Sequence, residues 1–163
     1  MKYFLLFFLS PLCLLAQTES VSLNEEEFKI LENVVWKGEL TYRNYSDDKM
    51  VSIPVFLRVN KTKTNTWELE FTYPNEPKAN SKSTFRLKKA GTFLNKQEII
   101  SKEKKEDGSL QFVTSKKGKD NNKPAEIQIT YSVSENSFWY EKKVKPNGES
   151  EFAFRNKYSF TKQ

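Results

Sequence analysis

From Val34 onward, apolar and polar positions alternate along the chain with a period of two. Val34, Trp36, Gly38, Leu40 and Tyr42 make a first row, with Lys37, Glu39 and Thr41 between them. Val51 to Val59 and Trp67 to Tyr73 repeat the pattern, the second with Glu68, Glu70 and Thr72 turned away. Further rows are Phe85 with Leu87, Phe93 to Ile100, Leu110 with Phe112, Ala125 to Val133, and Phe138 with Tyr140 and Val144. Phe152, Phe154, Tyr158 and Phe160 make the last, broken at Asn156. One apolar face per strand marks an antiparallel sheet laid over a core.

Turn chemistry separates the rows. Ser46-Asp47-Asp48, Lys89-Ala90-Gly91, Glu106-Asp107-Gly108, Asp120-Asn121-Asn122 and Pro146-Asn147-Gly148 all contain residues that tolerate positive φ. The rows therefore read as hairpins in meander order, with no long crossover. That order favours a barrel over a sandwich. The expected fold is all-β: an antiparallel up-and-down β-barrel of about 8–10 strands. One short helix is expected before it. Ser22-Leu23-Asn24-Glu25 fits a capping box, and Phe28 and Leu31 then share a face.

The N-terminus changes the picture of where this domain works. Met1-Lys2 precedes an apolar run from Tyr3 to Leu15, and Ala16 closes it. A positive start, a short apolar stretch and a small residue define a secretory signal peptide. The run is too short to span a bilayer, which takes about 20 apolar residues. Residues 1–16 are expected to be removed, leaving residues 17–163 as one β-barrel domain with no stable membrane span. The product is expected to be periplasmic or secreted. The single Cys, Cys13, leaves with the signal, so no disulfide framework is expected.

The net charge of +6 comes from interleaved signs, as in Lys102-Glu103-Lys104-Lys105-Glu106-Asp107. Mixed charge describes a solvated surface rather than a nucleic-acid footprint. The chain has no His, which removes imidazole-based catalysis and most zinc sites. No nucleophile and base fall together, and no phosphate-cradling glycine loop exists. No catalytic residue, metal site or cofactor is expected.

Aromatic residues are abundant, with 3 Trp, 7 Tyr and 13 Phe, and most of them belong to the core. Trp36, Tyr42, Trp67, Phe71, Tyr73, Tyr131, Tyr140, Phe154 and Tyr158 lie at or near inward positions and are the candidate ligand-binding set. The pattern leaves open whether the interior is dry and filled or hollow and partly polar. If hollow, the expected function is non-enzymatic binding of a small apolar or amphipathic molecule. If filled, the expected function is a protein-binding module of the cell envelope or extracellular space. Tyr73 to Asn80, stiffened by Pro74 and Pro77, is then its candidate contact loop.

Trp36-Lys37-Gly38-Glu39-Leu40-Thr41-Tyr42 after a short helix, with Phe154-Arg155-Asn156-Lys157-Tyr158 at the close, resembles the lipocalin-like, or calycin, barrels. Lipocalins carry Gly-x-Trp on the first strand and a basic residue on the last that packs over the Trp. Here the order is Trp36-x-Gly38, and the resemblance makes Arg155 the partner of Trp36. The chain is also similar to a group of exported bacterial proteins of this kind. That likeness rests on Tyr73 to Asn80, on Asn122-Lys123-Pro124-Ala125 and on the closing Arg-Asn-x-Tyr, and it implies no activity.

Overall fold

The computed structural model describes residues 21–44 and 46–163. The expected signal peptide, residues 1–16, lies outside them. Ten strands follow in chain order: β1 (Val35–Arg43), β2 (Met50–Lys63), β3 (Thr66–Thr72), β4 (Ser81–Lys88), β5 (Phe93–Leu94), β6 (Gln97–Lys104), β7 (Leu110–Asp120), β8 (Lys123–Val133), β9 (Ser137–Pro146) and β10 (Ala153–Lys162). Each pairs antiparallel with its sequence neighbours, and β1 pairs with β10 to close the barrel. The expected all-β barrel and its meander order are both present.

The turns have the backbone their residues suit. Asp48, Asn121, Asn122, Gly108 and Gly148 all have positive φ, and so do Lys89, Ala90 and Gly91. Asn95, with φ of 59°, divides the row expected from Phe93 to Ile100 into β5 and β6. Its amide donates to the Arg86 carbonyl and its Nδ2 to the Thr84 carbonyl, which ties the hairpin tip to β4.

The short helix is a 3₁₀ helix, Glu25–Leu31. Its capping box is real but sits two residues later than Ser22 would place it. Asn24 is the N-cap, accepting from the Glu27 amide, while the Glu27 carboxylate accepts from the Asn24 amide. The helix plugs one end of the barrel. Phe28 and Leu31 are fully buried, and Phe28 stacks on Trp67 at 4.8 Å between centroids. The Trp36 Nε1 donates to the Leu31 carbonyl at 3.1 Å, and the Trp67 Nε1 donates to Glu32 at 2.7 Å. Burying one such large apolar side chain is worth about 1.5–3 kcal/mol. The rim is tied by ion pairs of Glu25 with Lys61 and Glu27 with Lys102, and by the Leu23 amide donating to the Gly91 carbonyl.

These contacts overturn the Trp36–Arg155 pairing that the resemblance implied. Trp36 lies opposite Lys162 in the β1–β10 register, at the plugged end, whereas Tyr42 lies opposite Asn156. Arg155 is therefore at the other end of the strand. A bulge between Phe154 and Asn156 is the physical reason that alternation misplaces this segment. It sets Phe154 opposite the exposed Lys143 rather than on the inward face, and it carries Arg155 to the barrel mouth.

The β1–β10 closure depends on Gly38. A Cβ there would meet the Ser159 carbonyl oxygen at 1.9 Å and the Phe160 ring at 2.8 Å. Gly38→Ala is expected to lower unfolding free energy by about 1–3 kcal/mol, the usual cost of forcing bulk into a packed site. Chemical denaturation of the variant beside the native protein measures it. An unchanged midpoint would show that β10 yields freely.

Candidate ligand cavity

Above the plug the inward face becomes phenolic. Phe112 stacks on Tyr131 at 4.6 Å, Tyr131 meets Tyr140 at 5.7 Å, and Tyr140 stacks on Tyr158 at 4.7 Å. The Tyr158 and Tyr73 hydroxyls are 2.9 Å apart. Adjacent strands β7, β8, β9 and β10 thus carry an aromatic ladder, and β3 contributes Phe71, 5.3 Å from Tyr158. Beside it lies a cavity of about 290 Å³. Tyr131, Tyr140, Tyr158, Phe71 and Leu69 form its apolar and aromatic side, and Ser81, Ser83, Asn95 and Gln97 its polar side.

The polar side exists because the wall is incomplete there. β5 is two residues long and pairs with β4 only at Leu87 and Lys88. β6 pairs with β7 no higher than Ser115. The upper parts of β4 (residues 81–84) and β7 (residues 116–120) consequently flank a notch on the order of 14 Å wide, three strand spacings. Ser81 and Ser83 share the inward phase of Phe85 and Leu87, yet both are exposed because the notch leaves them uncovered.

Burial pushes the phenols of Tyr131, Tyr140 and Tyr158 up from their usual value near 10. For Tyr140 the neighbouring phenols of Tyr158, Tyr131 and Tyr73 add to the effect, because two phenolates cannot share so dry a space. Thr114 hydrogen-bonds Tyr131 and also donates to the buried Gln97 at 3.2 Å. The cavity is therefore lined by neutral hydroxyls and amides on one side and ring faces on the other.

A separate charged cluster sits at the open mouth. Asp120 bonds Arg155 at 2.7 Å and Lys142 at 3.1 Å. Burial pushes the Asp120 carboxyl up, but Lys142 and Arg155 together outweigh it and hold its pKa below the ordinary 3.8. Tyr42 and Leu40 lie beside Lys142, Arg155 and Asn156 in a mouth pocket. Among the described residues no group of three His, Cys, Asp or Glu side chains could hold a metal ion.

The nine candidate residues separate into four places. Phe71, Tyr131, Tyr140 and Tyr158 line the cavity, and Tyr73 joins it through Tyr158. Tyr42 is at the mouth. Trp36 and Trp67 are fully buried against the plug, and Phe154 lies out of phase at the bulge. The cavity also uses Leu69, Ser81, Ser83, Phe85, Asn95, Gln97 and Ile129, which were not among the candidates. Extending the Phe85–Leu87 row backwards by its own period reaches Ser83 and Ser81. The loop from Tyr73 to Asn80 folds on itself, with the Asn80 side chain accepting from the Tyr73 amide and a short 3₁₀ turn at Pro77–Ala79.

No protein-family model matches the chain, and no curated protein matches it. Among solved structures it is similar to that of Rv2717c from M. tuberculosis, with a TM-score of 0.57 and 8% identity over 85% of this chain and 96% of that one. At that identity the likeness concerns the fold alone. The ten-strand wall differs from the eight strands of the lipocalins proper.

Two expectations follow from the titrating groups. The folded pKa values of the three phenols lie above the unfolded value, so their contribution is intact below about pH 10 and is lost as pH rises further. Spectrophotometric titration should show these phenols ionising only with unfolding; smooth early ionisation of every tyrosine would contradict their burial. Asp120 has the opposite sign: its contribution is present above the ordinary carboxylate pKa and disappears as pH falls below it. Asp120→Asn should cost about 1–3 kcal/mol at neutral pH and flatten the acid limb of the stability profile. A variant whose acid limb matched the native one would remove Asp120 from that role.

Proposed function

We propose that this protein is a non-enzymatic binding protein for a small apolar or amphipathic molecule held inside the barrel. The observation that carries the reading is the cavity of about 290 Å³, bounded by phenol rings on one side and by Ser81, Ser83, Asn95 and Gln97 on the other. Ligand pockets begin at about 300 Å³, with mostly apolar linings and a few placed polar groups. An occupant with a flat apolar body and one polar end matches that division. Its body lies against Phe71, Tyr140 and Tyr158, and its polar end faces the notch. The site residues are then Phe71, Tyr73, Tyr131, Tyr140 and Tyr158, with Ser83 and Gln97 fixing orientation. Tyr42 belongs to the mouth, and the two buried tryptophans support the site from below.

The sequence supports the rest of the proposal. A chain without His, and with no nucleophile set beside a base, has no evident means of turnover. Residues 1–16 have the form of a secretory signal, which makes this an exported carrier or sensor working in the periplasm or outside the cell.

Native mass spectrometry of protein isolated from its own cells tests the reading. The expected mass is that of a chain beginning at Gln17, plus a retained small molecule. Ser83→Phe, which places a ring in the cavity from an exposed position, should lose the molecule while altering stability by no more than about 0.5 kcal/mol. A native protein that carries nothing, and a variant indistinguishable from it, would sink the binding reading. An uncleaved N-terminus would sink the export reading alone.

A further inference from the structure

The notch exposes a strand edge whose backbone and charge both point to a partner. Asp120 and Lys123 flank a two-residue turn in which Asn121 and Asn122 have φ of 47° and 63°. Residues flanking such a turn form a hydrogen-bonded pair, so Asp120 directs its amide and carbonyl to β8. Alternation then directs those of Lys117 and Lys119 the other way, into the notch. The β8 side obeys the same phase, since the Pro124 carbonyl opposite Lys119 is turned away to accept from the Asn147 amide of the next turn. β6 ends its pairing at Ser115, so among the described residues no strand pairs with this edge of β7.

The facing edge of β4 is less available, because the Thr84 and Arg86 carbonyls already accept from Asn95. On β7, by contrast, Lys116, Lys117 and Lys119 are exposed, and among the described residues none has an ion-pair partner. Lys117 and Lys119 face out of the barrel. Lys116 is in the inward phase, with its Cε 3.9 Å from where a Gly118 Cβ would stand.

We propose that the free edge of β7, residues 116–120, accepts an extended acidic segment of another protein as an added strand. A second copy of this chain is a poor occupant, because pairing the edge with itself sets lysine against lysine. Edge lysines protect an unpaired strand in that way. The same charges attract a strand of opposite sign and set its register. The notch is wide enough for such a strand, since two strand positions are vacant between β4 and β7. The geometry also specifies the segment's pattern. Alternate side chains face outward beside Lys117 and Lys119 and are acidic. Those between them face inward over the cavity, beside Gly118, and are apolar. The partner is thus a short run of alternating acidic and apolar residues in an exposed or unfolded segment. This surface does not depend on the cavity holding a small molecule.

The probe is a capped heptapeptide of alternating Glu and Val, titrated into the full chain and followed by amide NMR and hydrogen exchange. The amides of Lys117 and Lys119 should shift most and gain protection, and affinity should fall as salt is raised. The double variant Lys117→Pro with Lys119→Pro removes the two backbone donors that face the notch together with the two charges beside them, and should weaken binding by about tenfold or more. Should that variant misfold, Lys117→Glu with Lys119→Glu decides, since it leaves the backbone intact and reverses the attraction. Absence of binding, shifts scattered over lysines of the whole surface, or undiminished affinity in the glutamate pair would each overturn the proposal.

Discussion

The molecule depends on how one end of the barrel is sealed. Two indole N–H groups, on Trp36 and Trp67, are buried among apolar rings and must each find an acceptor. They find the Leu31 carbonyl and the Glu32 carboxylate, both at the end of the 3₁₀ helix. That requirement fixes the helix over the opening, and Phe28 then completes the seal by stacking on Trp67. The packing at that end is aromatic, with Phe28, Phe85, Phe112 and Phe138 around the two indoles. Ser81, Ser83, Asn95 and Gln97 line the other half, where the wall is interrupted.

The polarity of the two halves follows from a local accident of strand length. The turn at Asn95 ends the β5–β6 hairpin early, and β4 and β7 on either side of it lose their cover above that level. An aromatic interior would otherwise pack shut. Instead the phenols of Tyr131, Tyr140 and Tyr158 border open space, neutral because burial disfavours their charged form.

Much of this was legible in the alternation, because period two and hairpin residues are local properties. Rows such as Trp67 to Tyr73 and Ala125 to Val133 became strands nearly as read. What escaped was non-local or out of period. The bulge at Phe154–Asn156 reverses the facing of one residue and moves Arg155 to Asp120, an alliance no spacing reveals. Ser81 and Ser83 escape for a different reason: an inward row is expected to be apolar, and here it crosses from core to cavity in mid-strand. Five of the nine aromatic candidates gather at the cavity, because periodicity gives facing but not height along the barrel.

Closure also has a kinetic side. Lys37 and Thr161, joined across the seam between first and last strands, are 124 residues apart in sequence. High contact order of this kind makes assembly slow, because the entropy of joining distant segments is spent before any packing rewards it. Without β10, β1 keeps one edge unpaired beside Trp36. A chain in which that seam is unmade is therefore a sticky one.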